Sequence, residues 1–201
     1  MKILELYVFR HGETDWNLQK KLQGHTDIPL NATGVRQAEA LGHKLKEFEF
    51  ESIVTSDLSR ARATAEAVNA HHGVKIEIDS RLRECHLGSV EGMHKDELLK
   101  VYGEEVWQKW LEGRDPHFSF PGGENTLQHR GRLFSVIQKV AQETSTSRAV
   151  GLSTHGGSIK RIVSSCYNIG DNAILIPNCS TYHLRYHSHG DQLEFVRAIF
   201  L

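Results

Sequence analysis

Residues Ile3 to Phe9 form a nearly continuous run of apolar and aromatic side chains. That pattern suits a strand buried on both faces, and so a parallel sheet sheathed by helices. The next segments alternate as such a sheet requires. After a polar loop, Val35, Ala38, Leu41, Leu45 and Phe48 recur at helical spacing, with Thr33 the expected N-terminal cap. Ser52 to Ser56 reads as a strand, a helix carries Ala61, Ala65 and Val68, and Lys75 to Ile78 reads as another strand. From Leu87 to Phe120 the chain changes character. Glu97 to Leu111 is helical in pattern, whereas Gly113-Arg114-Asp115-Pro116 and Pro121-Gly122-Gly123 mark turns. A helix from Thr126 to Gln142 follows, with Leu127, Leu133, Val136, Ile137 and Val140 as its apolar positions. Ala149 to Ser153 reads as a strand and Ser158 to Tyr167 as a helix, and Thr181 to Tyr186 pairs with Glu194 to Phe200 as a hairpin across Gly190-Asp191. The expected fold is an α/β three-layer sandwich, a mainly parallel central sheet with helices on both faces. It forms a single domain over residues 1–201, with a small helical and loop insertion at about 87–122.

Composition narrows the function. Lys+Arg 24 against Asp+Glu 25 leaves a net charge of -1, so no global field recruits nucleic acid or an anionic membrane, and neither is expected as a partner. No apolar run approaches the roughly 20 residues of a spanning helix. Glu5 interrupts the N-terminal run and no small-residue cleavage site follows it, so cytoplasmic localisation is the expectation. Cys85, Cys166 and Cys179 are odd in number and widely spaced, as reduced thiols are. There are 13 histidines. His71-His72 are adjacent and His187 and His189 flank a turn, with no Cys or carboxylate at zinc-ligand spacing, so neither a metal nor another cofactor is expected.

In an open α/β sheet, ligands bind beyond the carboxyl ends of the strands. The first strand delivers Arg10-His11-Gly12-Glu13-Thr14, the second leads into Ser59-Arg60-Ala61-Arg62, and the strand at Ala149 delivers Thr154-His155-Gly156-Gly157. An isolated Arg-His-Gly is more often a turn than a site. Two histidines and an arginine arriving together at one edge are hard to explain by packing. The glycines after both histidines let backbone N–H groups approach an anion, and the helix that begins near Gly157 points its positive end at the same place.

These residues resemble a known family. Arg10-His11-Gly12-Glu13-Thr14 with Asn17, then Gly24, Asp27-Ile28-Pro29-Leu30, Ser56-Asp57-Leu58-Ser59-Arg60-Ala61, the Glu84 to Gly92 segment and His155-Gly156 are similar in kind and order to the histidine phosphatase superfamily, in its phosphoglycerate mutase-like branch. The resemblance runs from about Ile3 to Ser158. It implies that His11 attacks phosphorus and becomes a phosphohistidine, its tautomer held by a backbone carbonyl. It implies that Arg10 and Arg60 clamp the phosphoryl group and that His155 adds a donor, with Asn17 and the Gly156 N–H completing the pocket. Glu84 matches the acid that protonates the leaving alkoxide, a role that requires it to carry a proton when the substrate is bound. A salt bridge to Arg83 is the bland alternative, and Glu13 and Glu91 compete for the acid's role. Residues two apart on a helix point about 200° away from each other, so Arg62 is expected at the surface.

The insertion would lie over this site. Trp16, Leu22, His86, Trp107, Trp110 and Phe118 are candidates for its wall, although Trp107 and Trp110 also suit the insertion's own core. Glu124 is a candidate contact to a substrate hydroxyl, or a charge stabilising a helix start. Gln23-Gly24-His25 is more similar to broad-specificity and α-ribazole phosphatases than to mutases, which makes Gln23 and Gly24 substrate-binding candidates. The family's mutases carry an Arg-Arg insertion where this chain has only Arg114, and an Arg where it has Cys85. The expected activity is therefore a metal-independent phosphomonoesterase acting on a small phosphorylated metabolite. A phosphoglycerate mutase is the alternative, and a phospho-ligand binding module a third reading. Association as a homodimer is compatible with the sequence.

Overall fold

In a computed structural model that describes residues 2–112, 115–145, 148–167 and 174–201, the first apolar run is the hub of a mixed sheet. Strand β1 (Ile3–Arg10) pairs in parallel with β4 (Ala149–Thr154) and antiparallel with β5 (Thr181–His187). Beyond β4 lie β2 (Phe50–Thr55) and β3 (Lys75–Ile78), both parallel, and β6 (Gln192–Ile199) pairs antiparallel with β5. The order is β3-β2-β4-β1-β5-β6.

The alternation along β1 separates two cores. Leu4, Leu6 and Val8 pack on α5 (Thr126–Glu143) and α6 (Gly156–Val163) through Leu133, Ile137, Ile159 and Ile162. Tyr7 and Phe9 face α2 (Ala32–Leu45) and α3 (Ser59–Asn69), meeting Leu41, Leu45, Ala65 and Val68. Burial of a side chain as complete as that of Leu41 stabilises the fold by roughly 1.5–3 kcal/mol. This is the three-layer sandwich expected from the sequence.

Several local expectations are corrected. Asn31, not Thr33, caps α2, because its side chain accepts from the Gly34 N–H; Thr33 lies inside the helix and Phe48 beyond its end. Val35 and Leu127, counted among the apolar positions of their helices, are exposed. Helix α6 begins at Gly156 and ends at Val163, short of Tyr167. The expected helix over Glu97 to Leu111 lies within α4 (Lys95–Glu112), which is broken at Gly103, where φ is 79°. A short helix α1 (Asp15–Leu18) and two single turns, Ser80–Leu82 and Gly88–Val90, were not anticipated. Gly113 and Arg114 lie outside the described residues. Much of the 87–122 stretch packs on itself through Leu87, Val90, Leu98, Trp107 and Phe120. No helix among the described residues is long and apolar enough to cross a membrane.

Candidate active site

The ladders continue past the strand ends and fix the site residues there. The His11 N–H donates to Thr154 O at 3.1 Å, and the Ser56 N–H donates to Ser153 O at 3.0 Å. His11 and His155 therefore stand side by side, with ring centroids 5.2 Å apart. His11 Nδ1 lies 2.7 Å from Gly12 O. A carbonyl can only accept, so Nδ1 carries the hydrogen and Nε2 keeps a free lone pair. Burial first, then the charges of Arg10 and Arg60, hold the His11 pKa well below its ordinary value, against the opposing pull of the Gly12 carbonyl. His11 is thus a neutral, oriented imidazole.

Two guanidinium groups flank it. Arg60 is wholly buried and donates through its two terminal nitrogens to Gly24 O and Thr26 O, both at 2.9 Å, and through Nε to His155 Nδ1 at 3.3 Å. Of its five N–H donors, two remain. Burial draws its pKa down to about 10, with Glu84 and Asp27 opposing, so it stays charged near neutrality. Arg10 donates to Ile176 O at 2.7 Å, while its Nε is buried with no partner among the described residues. An unpaired buried donor is costly, and an anion in the cavity would satisfy it. His155 is also fully buried; its Nε2 lies 3.0 Å from Ser56 Oγ, and desolvation, then Arg60, keep it neutral. Arg62 lies on the exposed face, 4.0 Å from Glu66, as its helical position requires.

The Glu84 carboxylate lies at the start of α6. Its Oε2 accepts from the Gly157 N–H at 2.7 Å and its Oε1 from the Cys85 N–H at 2.9 Å. A Cβ at Gly157 would stand 2.6 Å from Glu84 Oε1, so only glycine admits this approach. The expectation that the glycines after both histidines offer N–H groups to an anion is corrected for the first turn only. The Gly157 N–H serves Glu84, and the Gly12 N–H donates to Thr64 Oγ1 at 3.1 Å. Gly156 remains against Arg10, its Cβ position 3.3 Å from Arg10 Nε.

Rival assignments separate cleanly. Arg83 pairs with Asp57, not with Glu84. Glu91 accepts from the backbones of His25, Thr26 and Leu87 and from Thr26 Oγ1, so it braces the 23–26 loop. Gly24, at φ +53°, belongs to that brace, because a Cβ there would stand 2.1 Å from Glu91 Oε1. Glu13 receives the Asn31 side chain at 3.0 Å. Glu124 accepts from the His86 N–H at 2.8 Å and is gripped by Arg132.

A cavity of about 350 Å³ brings together Arg10, His11, Asn17, Gln23, Gly24, Arg60, Glu84 and Gly156. His155 is not in its lining: its Nδ1 accepts from Arg60 Nε and its Nε2 is held by Ser56 Oγ, so the further donor expected of it is corrected to a support for Arg60. Asn17 Oδ1 is committed to the Thr14 cap and to Asn178, while Gln23 Oε1 is buried without a partner among the described residues. Leu22, Trp107 and Trp110 line the cavity, so the two tryptophans serve both as insertion core and as wall. Trp16, His86 and Phe118 are not in the lining; Trp16 packs over Gly92 and His86 stacks on His25.

Sequence reasoning missed several residues. Arg132 donates to the carbonyls of Arg81, Arg83 and Glu84 as well as to Glu124, stitching the segment that carries Glu84. Asn178 donates to His11 O at 3.0 Å. Lys21, Lys160 and Arg161 add cations to the cavity wall; Lys160 and Arg161 donate to Leu111 O and Trp110 O and tie α4 to α6. No local signal marks Arg132 or Asn178. Cys85, Glu124 and His129 bring one ligand-type atom each within 4.8 Å of one another, a grouping that linear spacing hides. Arg132 already occupies the Glu124 carboxylate, and its positive charge opposes a cation there.

Comparison with known proteins agrees with this geometry. The profile of the histidine phosphatase superfamily (branch 1) matches residues 6–198. A probable phosphoglycerate mutase, GpmB, of Klebsiella pneumoniae is 33% identical over 187 residues, covering 92% of this chain and 86% of its own. The structure of a mycobacterial glucosyl-3-phosphoglycerate phosphatase in complex with VO3 superposes with a TM-score of 0.84 at 27% identity, covering 98% of each chain. A phosphoglycerate mutase from Thermus thermophilus gives a TM-score of 0.75 at 28% identity, covering 98% of this chain and 99% of its own.

Proposed function

This chain belongs to the histidine phosphatase superfamily, and from that premise we propose that it is a metal-independent phosphomonoesterase for a small phosphorylated metabolite. The observation that carries the reading is the His11 imidazole, its Nδ1 committed to Gly12 O and its Nε2 left with a lone pair, between the guanidinium groups of the buried Arg60 and the half-buried Arg10, whose Nε has no partner among the described residues. Phosphoryl transfer needs mainly positioning and charge stabilisation. His11 Nε2 forms a bond to phosphorus as the ester P–O bond breaks, and Arg10 and Arg60 take up the charge on the phosphoryl oxygens. Glu84 gives its proton to the departing alkoxide. In the second half, water attacks phosphorus, the N–P bond breaks, and Glu84 takes the proton from water.

Water, rather than a second hydroxyl, is the preferred acceptor. Val196 to Ile199 is committed to the β5–β6 ladder, so this stretch does not cover the cavity. Cys85 stands where mutases of the family carry Arg. The better superposition is also with the phosphatase. The mutase reading keeps the support of the curated relatives' name. Lys21, Lys160 and Arg161 on the wall suit an acidic leaving group, so 3-phosphoglycerate and glucosyl-3-phosphoglycerate head the substrate panel.

The test is phosphate release from that panel in the presence of a chelator, with and without 2,3-bisphosphoglycerate. Hydrolysis that needs neither metal nor primer is expected. Primer-dependent isomerisation would assign the mutase, and no turnover even of 4-nitrophenyl phosphate would leave only a binding module.

A further inference from the structure

His129 and Ser158 are buried, polar and unused by the chemistry above. His129 is 1% exposed and Ser158 is fully buried. They form a chain that ends on Glu84: His129 Nε2 lies 2.9 Å from Ser158 Oγ, which lies 3.3 Å from Glu84 Oε1 and 3.1 Å from Arg83 O. A hydroxyl has one hydrogen and two lone pairs. If His129 donates its Nε2 hydrogen to one lone pair, the Ser158 hydrogen is left to choose between the Arg83 carbonyl and the Glu84 carboxylate.

We propose that His129 and Ser158 are positioning residues that let Glu84 alternate between acid and base. This rests on the reading of Glu84 as the proton donor. While Glu84 holds its proton, the Ser158 hydroxyl donates to Arg83 O. Once that proton has passed to the leaving oxygen, the hydroxyl turns to Glu84 Oε1 and supports the new carboxylate. When Glu84 takes a proton from the attacking water, the hydroxyl swings back. No proton leaves Ser158 or His129 in either half, and atoms and charge balance on Glu84, the alcohol and water alone. The Gly157 and Cys85 N–H groups meanwhile hold the carboxyl in place. Those two donors are fixed in direction, so among the described residues that contact the carboxyl only the Ser158 hydroxyl can reverse its allegiance within one turnover.

The experiment uses kcat/KM, which reports the steps up to release of the alcohol, and compares glycerol 3-phosphate with 4-nitrophenyl phosphate. The nitrophenolate leaves with little need of a proton; the alkoxide does not. The readout is the ratio of the two values in Ser158→Ala, His129→Leu, His129→Gln and Glu84→Gln, each confirmed folded by its thermal melt. Because a positioned general acid contributes about 10²- to 10⁴-fold, the alkyl-to-aryl ratio is expected to fall by at least about 10-fold in Ser158→Ala and His129→Leu. His129→Gln, whose amide N–H replaces Nε2–H, should restore most of it, and Glu84→Gln should fall furthest. Equal losses on both substrates in Ser158→Ala and His129→Leu, leaving the ratio unchanged, would reduce the pair to packing and overturn the proposal. If Glu84→Gln itself leaves the ratio unchanged, the assignment of the acid fails. If only Glu84→Gln lowers it, that assignment stands and the switch alone is refuted.

Discussion

Arg60 and Arg62 sit two residues apart on α3 with opposite surroundings, so replacing each in turn is a direct test of the site. Arg60 spends three of its donors on Gly24 O, Thr26 O and His155 Nδ1, leaving two for phosphoryl oxygens. At about 1.5–3 kcal/mol per charge-assisted bond, those two are worth roughly 3–6 kcal/mol in the transition state. Each 1.36 kcal/mol is tenfold in rate, so Arg60→Ala should lower kcat/KM by about 10²- to 10⁴-fold. Arg60→Lys keeps the charge but loses the planar fork and should fall at the lower end of that range. Arg62 has a half-exposed side chain whose carboxylate partner, Glu66, is 4.0 Å away. Such a pair contributes about 0–1 kcal/mol to stability and nothing to phosphate binding, so Arg62→Ala should stay within about threefold. The assay is release of 4-nitrophenolate, measured well below the Tm of each variant. An Arg62→Ala variant more damaged than Arg60→Ala, or an Arg60→Lys variant with wild-type kcat/KM, would refute the placement of the clamp.

Gly24→Ala adds a side chain at φ +53° that meets Glu91 Oε1, whereas Gly73→Ala, at φ +63°, meets nothing within 4 Å. Both incur left-handed strain of roughly 1–2 kcal/mol, but only Gly24→Ala also breaks the loop brace, so its Tm should fall further and its KM should rise; equal Tm losses would contradict the brace. His11, His129 and His155 are all held neutral by burial, with pKa values well below their ordinary 6.5. The unfolded chain therefore takes up protons that the native state refuses, and the stabilisation present above about pH 6.5 is lost as the pH falls, by up to about 1.4 kcal/mol per pH unit for each histidine. Urea midpoints at pH 7.5, 6.0 and 5.0 should decline in that order, and a flat series would show that these rings are not buried neutral.

The parts of this protein legible in its sequence are those whose physics is local. Ile3 to Phe9 announces β1 because a strand covered on both faces has no polar alternation to hide it. Arg10, His11, Arg60 and His155 were legible because strand ends must deliver ligand-binding groups to one edge. What escaped depends on partners far along the chain. Glu84 reaches Gly157 across 73 residues and Asn178 reaches His11 across 167, so the start of α6 is filled by a carboxylate that no local pattern foretells. Arg132 is one charge on a helical face until its contacts to three carbonyls are seen. Asn31 and Thr33 are both competent caps, and only the hydrogen bond from Gly34 decides between them.

The central claim concerns the lone pair on His11 Nε2. Quenching steady-state turnover in base, under which phosphoramidates persist, and mapping the phosphoryl mass by peptide sequencing measures it directly. The wild-type protein should carry the group on His11 during turnover, and His11→Ala should carry none and release no phosphate. A phosphoryl group on any other side chain, or full turnover by His11→Ala, would contradict the account.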